Sequence, residues 1–487
     1  MSKRLILLLI IISAELLSFL GYYFSAINFI AFFAISLLAI ILSLYKLEYG
    51  LWLLLTELFI GSFGYLFYFE SGGLKISLRI ALWLIILAVW LSKTILDWVK
   101  TKKLTIDFLK SNNFYYFLAL AIFIAWGLLN GVLNKNLDSN IFQDFNNWLY
   151  LLLIFPIFSV LKNEKNLATL KLIFFTTVAW LSIKTLALFY LFSHDFGNLA
   201  LGVYGWIRLN GIGEITQVQG GFNRIFMQSQ IFVLIAFFIL LFYLLKSVSD
   251  NRKNLLLYRS GLTLFLTAIL VSFSRSFWLG LLVGGLFVWL VAIFKLKINL
   301  KHFLIFNGYI FISALASLAL ALLIVFFPWP TPYGGFNAAN LLSDRATGIS
   351  EAGASSRWQL LPPLWQKIKS APLLGLGFGA TVTYKSSDPR VLAVSPTGDY
   401  TTYAFEWGWL DVWLKLGVFG LLAYLALLIK IIYDGLKINS YFSLALATGL
   451  VILTAVNMFS PYINHPLGLT ILMLSMALLN YLKPGLR

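Results

Sequence analysis

The sequence predicts an all-α polytopic membrane protein with about fourteen transmembrane helices and a large extracytoplasmic loop, and three observations predict it. Of its 487 residues, 60% are hydrophobic and 11% charged, with a mean hydropathy of +0.89; a soluble globular chain carries about 25% charged residues. Apolar runs close to the roughly 20 residues that a bilayer crossing needs recur along the whole length. Basic residues gather in alternate turns, as insertion with the positive side inward requires. Alternating strands of about 10 residues, the mark of a membrane barrel, are not found.

In order, the expected spans are 5–24, 27–45, 49–69, 79–97, 114–133, 147–162, 168–193, 229–248, 255–273, 276–295, 303–327, 412–434, 441–460 and 465–482. The first follows Lys3 and Arg4 and lacks a small-residue cleavage site, so it is expected to be kept and not removed as a signal peptide. With the N-terminus inside, the inward turns hold Lys46, then Lys100, Lys102, Lys103 and Lys110, then Lys162 and Lys165. They continue with Arg252, Lys253 and Arg259, with Lys295, Lys297 and Lys301, with Lys430 and Lys437, and with Lys483 and Arg487. Every inward turn is basic, so both termini are expected in the cytoplasm. The net charge of +17 is thereby explained by position at helix ends, and nucleic acid is not an expected partner. The chain divides into helices over 1–327, an extracytoplasmic loop over 328–411 and helices over 412–487. That loop, of roughly 80 residues, is far longer than joining two helices requires.

Four segments fall outside: 194–228, the turn Ser274–Arg275, the long loop, and the turn Ser460–His465. They collect arginines against the orientation bias: Arg208 and Arg224, Arg275 in "SFSRSFWLG", and Arg345, Arg357 and Arg390. Arginine stays charged at any relevant pH and presents a planar fork that fits phosphate oxygens. The cluster therefore suits a lipid-linked phosphate or diphosphate, although lipid headgroups or loop ion pairs would also satisfy single arginines. Glu15, Glu57 and Lys184 lie inside spans, where an unpaired charge costs about 2.5–3.5 kcal/mol on insertion scales. Glu–Lys pairing and a functional role are both open for them.

Residues 355–379 predict an amphipathic helix with Leu360, Leu361, Leu364 and Ile368 on one face, then a turn whose Gly375, Gly377 and Gly379 would let backbone approach a substrate. Glu406 stands where the chain returns to the membrane, among Phe405, Trp407 and Trp409. A carboxylate there could act as a base or pair with an arginine, and the rings could equally form an interfacial belt. Of the three histidines, His302 belongs to a basic turn, His194 opens an outer loop, and His465 is either a helix-start residue before Pro466 or a second candidate base. No metal-binding, nucleotide-binding or cysteine motif occurs, so no cofactor or metal is expected. No internal repeat or inverted pair of Gly/Pro-broken helices suggests a transporter.

Three segments together resemble the O-antigen ligase/polymerase superfamily (WaaL/Wzy-like proteins). They are "SFSRSFWLGL" at 272–281, "SRWQLL" running on to "PLLGLGFG" at 356–379, and "EWGWLDVWLKLGVFGLL" at 406–422, with the resemblance extending over about 200–470. The resemblance implies a GT-C-type membrane glycosyltransferase of the bacterial inner membrane, working on its outer face. Its donor would be an undecaprenyl-diphosphate-linked oligosaccharide and its partner a glycan acceptor, with no metal or nucleotide. Arginines would neutralise the leaving diphosphate while a base deprotonates the acceptor hydroxyl in an inverting displacement. Arg275 and Arg357 match the family's arginines, and Arg224 more loosely. Many members carry His-Asn where this chain has Glu406-Trp407, so Glu406, or else His465, is the expected base. That departure favours a polymerase, which could work beside the chain-length regulator and flippase of the same pathway. A ligase to lipid A core, or a transporter for lipid-linked sugars, are the alternatives.

Overall fold

The computed structural model describes residues 2–219, 222–250, 254–334 and 352–483. The chain opens with helices α1 (Lys3–Tyr23), α2 (Ser25–Tyr45) and α3 (Leu47–Ile60). A hairpin of β1 (Tyr68–Ser71) and β2 (Leu74–Ser77) then precedes α4 (Leu78–Thr101). Next come α5 (Phe114–Leu133), α6 (Asp138–Trp148), α7 (Ile154–Val160), α8 (Glu164–Ser193) and the short α9 (Asn198–Leu209). A second hairpin, β3 (Glu214–Gln219) and β4 (Phe222–Phe226), leads to α10 (Gln230–Ser249), α11 (Leu255–Val271), α12 (Arg275–Leu290) and α13 (Leu300–Val325). The long connection contains α14 (Ala352–Ser370) and the hairpin β5 (Val382–Lys385) and β6 (Asp399–Thr402). The chain ends with α15 (Gly408–Lys437), α16 (Tyr441–Val456) and α17 (Pro466–Leu482).

Among the described residues, ten stretches are long and apolar enough to cross a membrane, and α11, α16 and α17 are shorter apolar helices. α10 is the hub: 89% of its apolar window is buried, against α8, α11, α12 and α16. A helix apolar on every side belongs in such a position. α1, α2 and α13 instead present Leu, Ile and Phe outward along most of their length, where hydrocarbon is their natural solvent.

Each expected span overlaps a helix, but the described stretches long and apolar enough to cross number ten and not fourteen, and two spans also depart locally. The third was expected to run to residue 69, but α3 stops at Ile60. Ser62 and Gly64 take left-handed backbone (φ 49° and 91°), and the next residues form the first hairpin. The sixth, expected to begin at 147, starts at Asp138 and is interrupted by a 3₁₀ turn over Leu149–Leu153. The charges inside the bundle are paired. Lys184 Nζ lies 2.5 Å from Glu15, and Glu57 pairs with Arg79 at 2.7 Å, while a second Arg79 nitrogen donates to the Ser62 carbonyl at 2.7 Å. Pairing is the outcome for Glu15 and Lys184; the partner of Glu57 is a residue that its sequence neighbourhood does not announce.

The expected helix over 355–379 is present as α14, and Leu360, Leu364 and Ile368 are buried with Ala380, Val382, Phe405 and Leu414 in a small core of their own. Leu361 is only partly covered. The glycine turn has protein backbone as its close neighbour in this structure. Its three glycines, at φ 71°, 78° and 77°, pack against α5, α6 and α15. α15 itself is broken at Gly417 (φ 73°, ψ 177°). The freed groups are taken up by the glycine segment: Leu376 N donates to Leu414 O at 2.7 Å, Gly377 N to Lys415 O at 3.1 Å, and Val418 N to Pro372 O at 2.9 Å. On the other side Phe378 N donates to Gly127 O, and the Asn130 and Asn136 amides donate to Gly375 O and Phe378 O. Backbone passes so close to backbone here that a Cβ on Gly377 would collide with Gly131. Gly377→Ala is therefore expected to abolish the folded, monodisperse protein in size-exclusion chromatography. Gly285→Ala, where an added Cβ meets nothing within 4 Å, should leave the profile unchanged.

Candidate functional site

At the end of the bundle that the orientation rule assigns to the outside, a cavity of about 830 Å³ opens between α9, the β3–β4 hairpin, the start of α12, α14 and the turn between α16 and α17. Its lining includes Arg208, Arg224, Arg275, Arg357, Glu406 and His465. Six of the residues singled out from sequence thus meet in one chamber, although they come from segments spread over more than half the chain. Arg345 lies outside the described residues, as does the side chain of Arg390. His194 is elsewhere, its ring between the Ser193 hydroxyl (3.1 Å) and the Phe327 carbonyl (2.8 Å), and His302 sits in the first turn of α13.

Arg224 is placed by the hairpin, opposite Thr216 in the β3–β4 register. Its Nε donates to the Ser272 carbonyl at 3.0 Å, its guanidinium stacks over the Phe226 ring at 4.6 Å, and Glu214 lies 3.7 Å away. The Ser272 bond ties the hairpin to the tight turn before α12. In that turn Phe273 takes left-handed backbone at φ 46°, an uncommon state for a bulky residue, held by ring contacts to Phe222 and Trp278. The reversal makes Arg275 the first residue of α12, beside Ser274 and Ser276 whose hydroxyls bond at 2.9 Å. The positive end of the α12 dipole adds to the arginine charge there.

Arg357 projects from α14 and forms an ion pair with Glu406, just before α15. The Trp407 indole donates to the Arg357 carbonyl at 2.9 Å, so the two segments are also joined through backbone. The Trp407 ring packs edge-on to Trp358 and tilted against Phe459, the latter on the cavity wall. His465 caps α17, its Nδ1 accepting from Leu467 N at 3.3 Å. The preceding turn is fixed by Tyr462 donating to the Gln228 carbonyl (3.0 Å) and Ile463 N donating to the Asn457 amide oxygen (3.1 Å). Burial, with the Arg79 charge adding to it, pushes the His465 imidazole down from its ordinary value to about 3. Among the described lining residues, four arginines face Glu214 and Glu406, and a neutral histidine leaves a net of two positive charges.

A second group beneath the long connection was not expected from sequence. Lys415 Nζ lies 2.7 Å from Asp144 and 2.6 Å from Asp411, and Asp411 also accepts from the Asn464 amide at 2.6 Å. Asp144 accepts in turn from Gly379 N at 2.8 Å. Lys415 and Asp411 are buried and Asp144 is nearly so. Asn464 adjoins His465, so the network links α6, the glycine segment and α15 to the cavity's histidine. The signal available in the sequence was Asp411 and Lys415 at i, i+4 in an otherwise apolar stretch.

Fold and site define a multi-pass helical membrane protein with a chamber at one end of its bundle whose described lining holds more arginines than carboxylates. Residues 260–425 match the family model described as O-Antigen ligase (Wzy_C), in line with the O-antigen ligase/polymerase superfamily that the sequence resembles. No curated protein and no solved structure matches the chain.

Because the native state refuses a proton on His465 that the unfolded chain accepts near pH 6.5, stability is full above that pH and is lost as pH falls toward about 3. His465→Asn keeps a capping side chain and should flatten this acid limb, measured as thermal midpoints in detergent across a pH series.

Proposed function

We propose that this protein is a polysaccharide polymerase of the bacterial inner membrane, transferring a glycan from undecaprenyl diphosphate to a lipid-linked repeat unit on the outer face. The observation that carries the reading is the meeting of Arg208, Arg224, Arg275 and Arg357 with Glu406 in one cavity. A diphosphate is the anion that a net of two positive charges and several guanidinium forks fit best.

In this mechanism Arg275, Arg224 and Arg208 grip the diphosphate, helped by the start of α12. Arg357 is held by Glu406 in the ligand-free state. As the diphosphate draws Arg357 toward itself, the Glu406 carboxylate is released to face the acceptor hydroxyl. The hydroxyl oxygen attacks the anomeric carbon while its proton passes to Glu406, and the bond from that carbon to the diphosphate oxygen breaks. The electron pair leaves with undecaprenyl diphosphate, whose new charge the arginines stabilise, and the configuration at the anomeric carbon inverts. Fixed cations aimed at developing charge are worth most in such a step. A histidine with a pKa near 3 is a weak base at neutral pH, which favours Glu406 over His465. The departure from the family's His-Asn is then a change of base with the role kept.

The alternative of a ligase, which the description of the matching family favours, differs in the acceptor. Purified protein given only lipid-linked repeat units should yield a ladder of lengths; a ligase would elongate nothing without a separate acceptor. Glu406→Gln should lower kcat by about 10²–10⁴-fold and Arg275→Ala by about 10²–10³-fold, with size-exclusion profiles unchanged. Full activity of both variants would sink the proposal, and a loss in His465→Asn matching that in Glu406→Gln would move the base to His465.

A further inference from the structure

We infer that the exposed face of α9 is the track on which the polyprenyl tail of the donor lies while its diphosphate occupies the cavity; this rests on the glycosyltransferase reading above. α9 has 12 residues, Asn198–Leu209, and at about 1.5 Å per residue it is far too short to cross a bilayer. Trp206 and Ile207 bury its inner side. On the opposite side Leu201 is 71% exposed and Tyr204 41%, and Arg208 is exposed as well. Spaced i, i+3 and i+7, these three form one stripe; Leu201 and Arg208 point within about 20° of each other, about 10 Å apart along the axis.

Tyr204 and Arg208 line the cavity and Leu201 does not, so the stripe runs from the open surface into the chamber. Its chemistry changes along the same path, from aliphatic to amphipathic to cationic. A prenyl diphosphate changes in the same order, from hydrocarbon to anion. The depth also agrees. Gly202 and Gly205 seat the hydroxyl ends of Tyr23 and Tyr22, at the end of α1, and tyrosines at the end of a span sit where hydrocarbon gives way to headgroups. An interfacial helix serving only as an anchor keeps its charge on the water side and its leucines on the other. Here Arg208 shares the side of Leu201, and the charge points into the site.

The experiment compares a donor on the full-length polyprenyl diphosphate with one on a short, water-soluble prenyl diphosphate. Leu201→Gln should raise KM for the long donor about tenfold and leave the short donor unaffected, and Leu201→Phe should restore the parent value. Unchanged KM for the long donor, or an equal loss on both donors, would overturn the track, the second outcome assigning α9 to anchoring or folding. Arg275→Ala tests the underlying reading separately. It should impair both donors alike, and if it impairs neither, that reading falls and the track with it.

Discussion

A helix interrupted at membrane depth must pass its freed backbone groups to other protein atoms, because hydrocarbon offers none. The break in α15 at Gly417 meets this requirement through the segment 372–379, which bonds to both halves of α15 and to α5. That seam is what locates the long connection. α14 leads into it and carries Arg357; Glu406 stands only a few residues before the helix that it joins. The small core of α14 with Phe405 and Leu414 and the Trp407 bond to the Arg357 carbonyl then hold the two residues together above that seam.

The same low dielectric sorts the charges into two populations. Those within the bundle are matched closely: Glu15 with Lys184, Glu57 with Arg79, Lys415 with Asp144 and Asp411. Such pairs roughly break even against apolar packing, so their contribution is to specify which helices meet. The cavity departs from that balance, its described lining holding more arginines than carboxylates. An excess of cations is tolerable there because the wall is solvated, and it creates the attraction that a buried pair would cancel.

Much of this was legible in the sequence, for identifiable reasons. Apolar runs locate the helices because each must match the bilayer alone, without help from neighbours. The arginines of the site were legible because insertion selects against them on the outside, so Arg208, Arg224, Arg275 and Arg357 stand out in a sparse background. What was not legible depends on contacts between distant segments. Arg79 lay at the expected edge of a span, and only the fold brings it to Glu57. Asp144 is separated from Lys415 by most of the chain. Gly375, Gly377 and Gly379 announced left-handed backbone, but whether the close neighbour would be ligand or protein is not written in a glycine. The hairpins were missed because strands of four to six residues carry too little pattern in a chain dominated by helices.

The seam also sets an order in time. Trp126, Asn130, Asn134 and Asn136 donate to carbonyls of residues 374–378, which lie 240 to 248 positions later in the chain. At translation rates of about 5–20 residues per second, α5 waits roughly ten to fifty seconds before those partners are made. Through that interval Asn134 can bond locally to Asn130, whereas the bonds of Trp126, Asn130 and Asn136 to the segment must wait. A ribosome that stalls before residue 372 releases a chain whose apolar helices up to α13 have all been made and whose seam is still unbuilt.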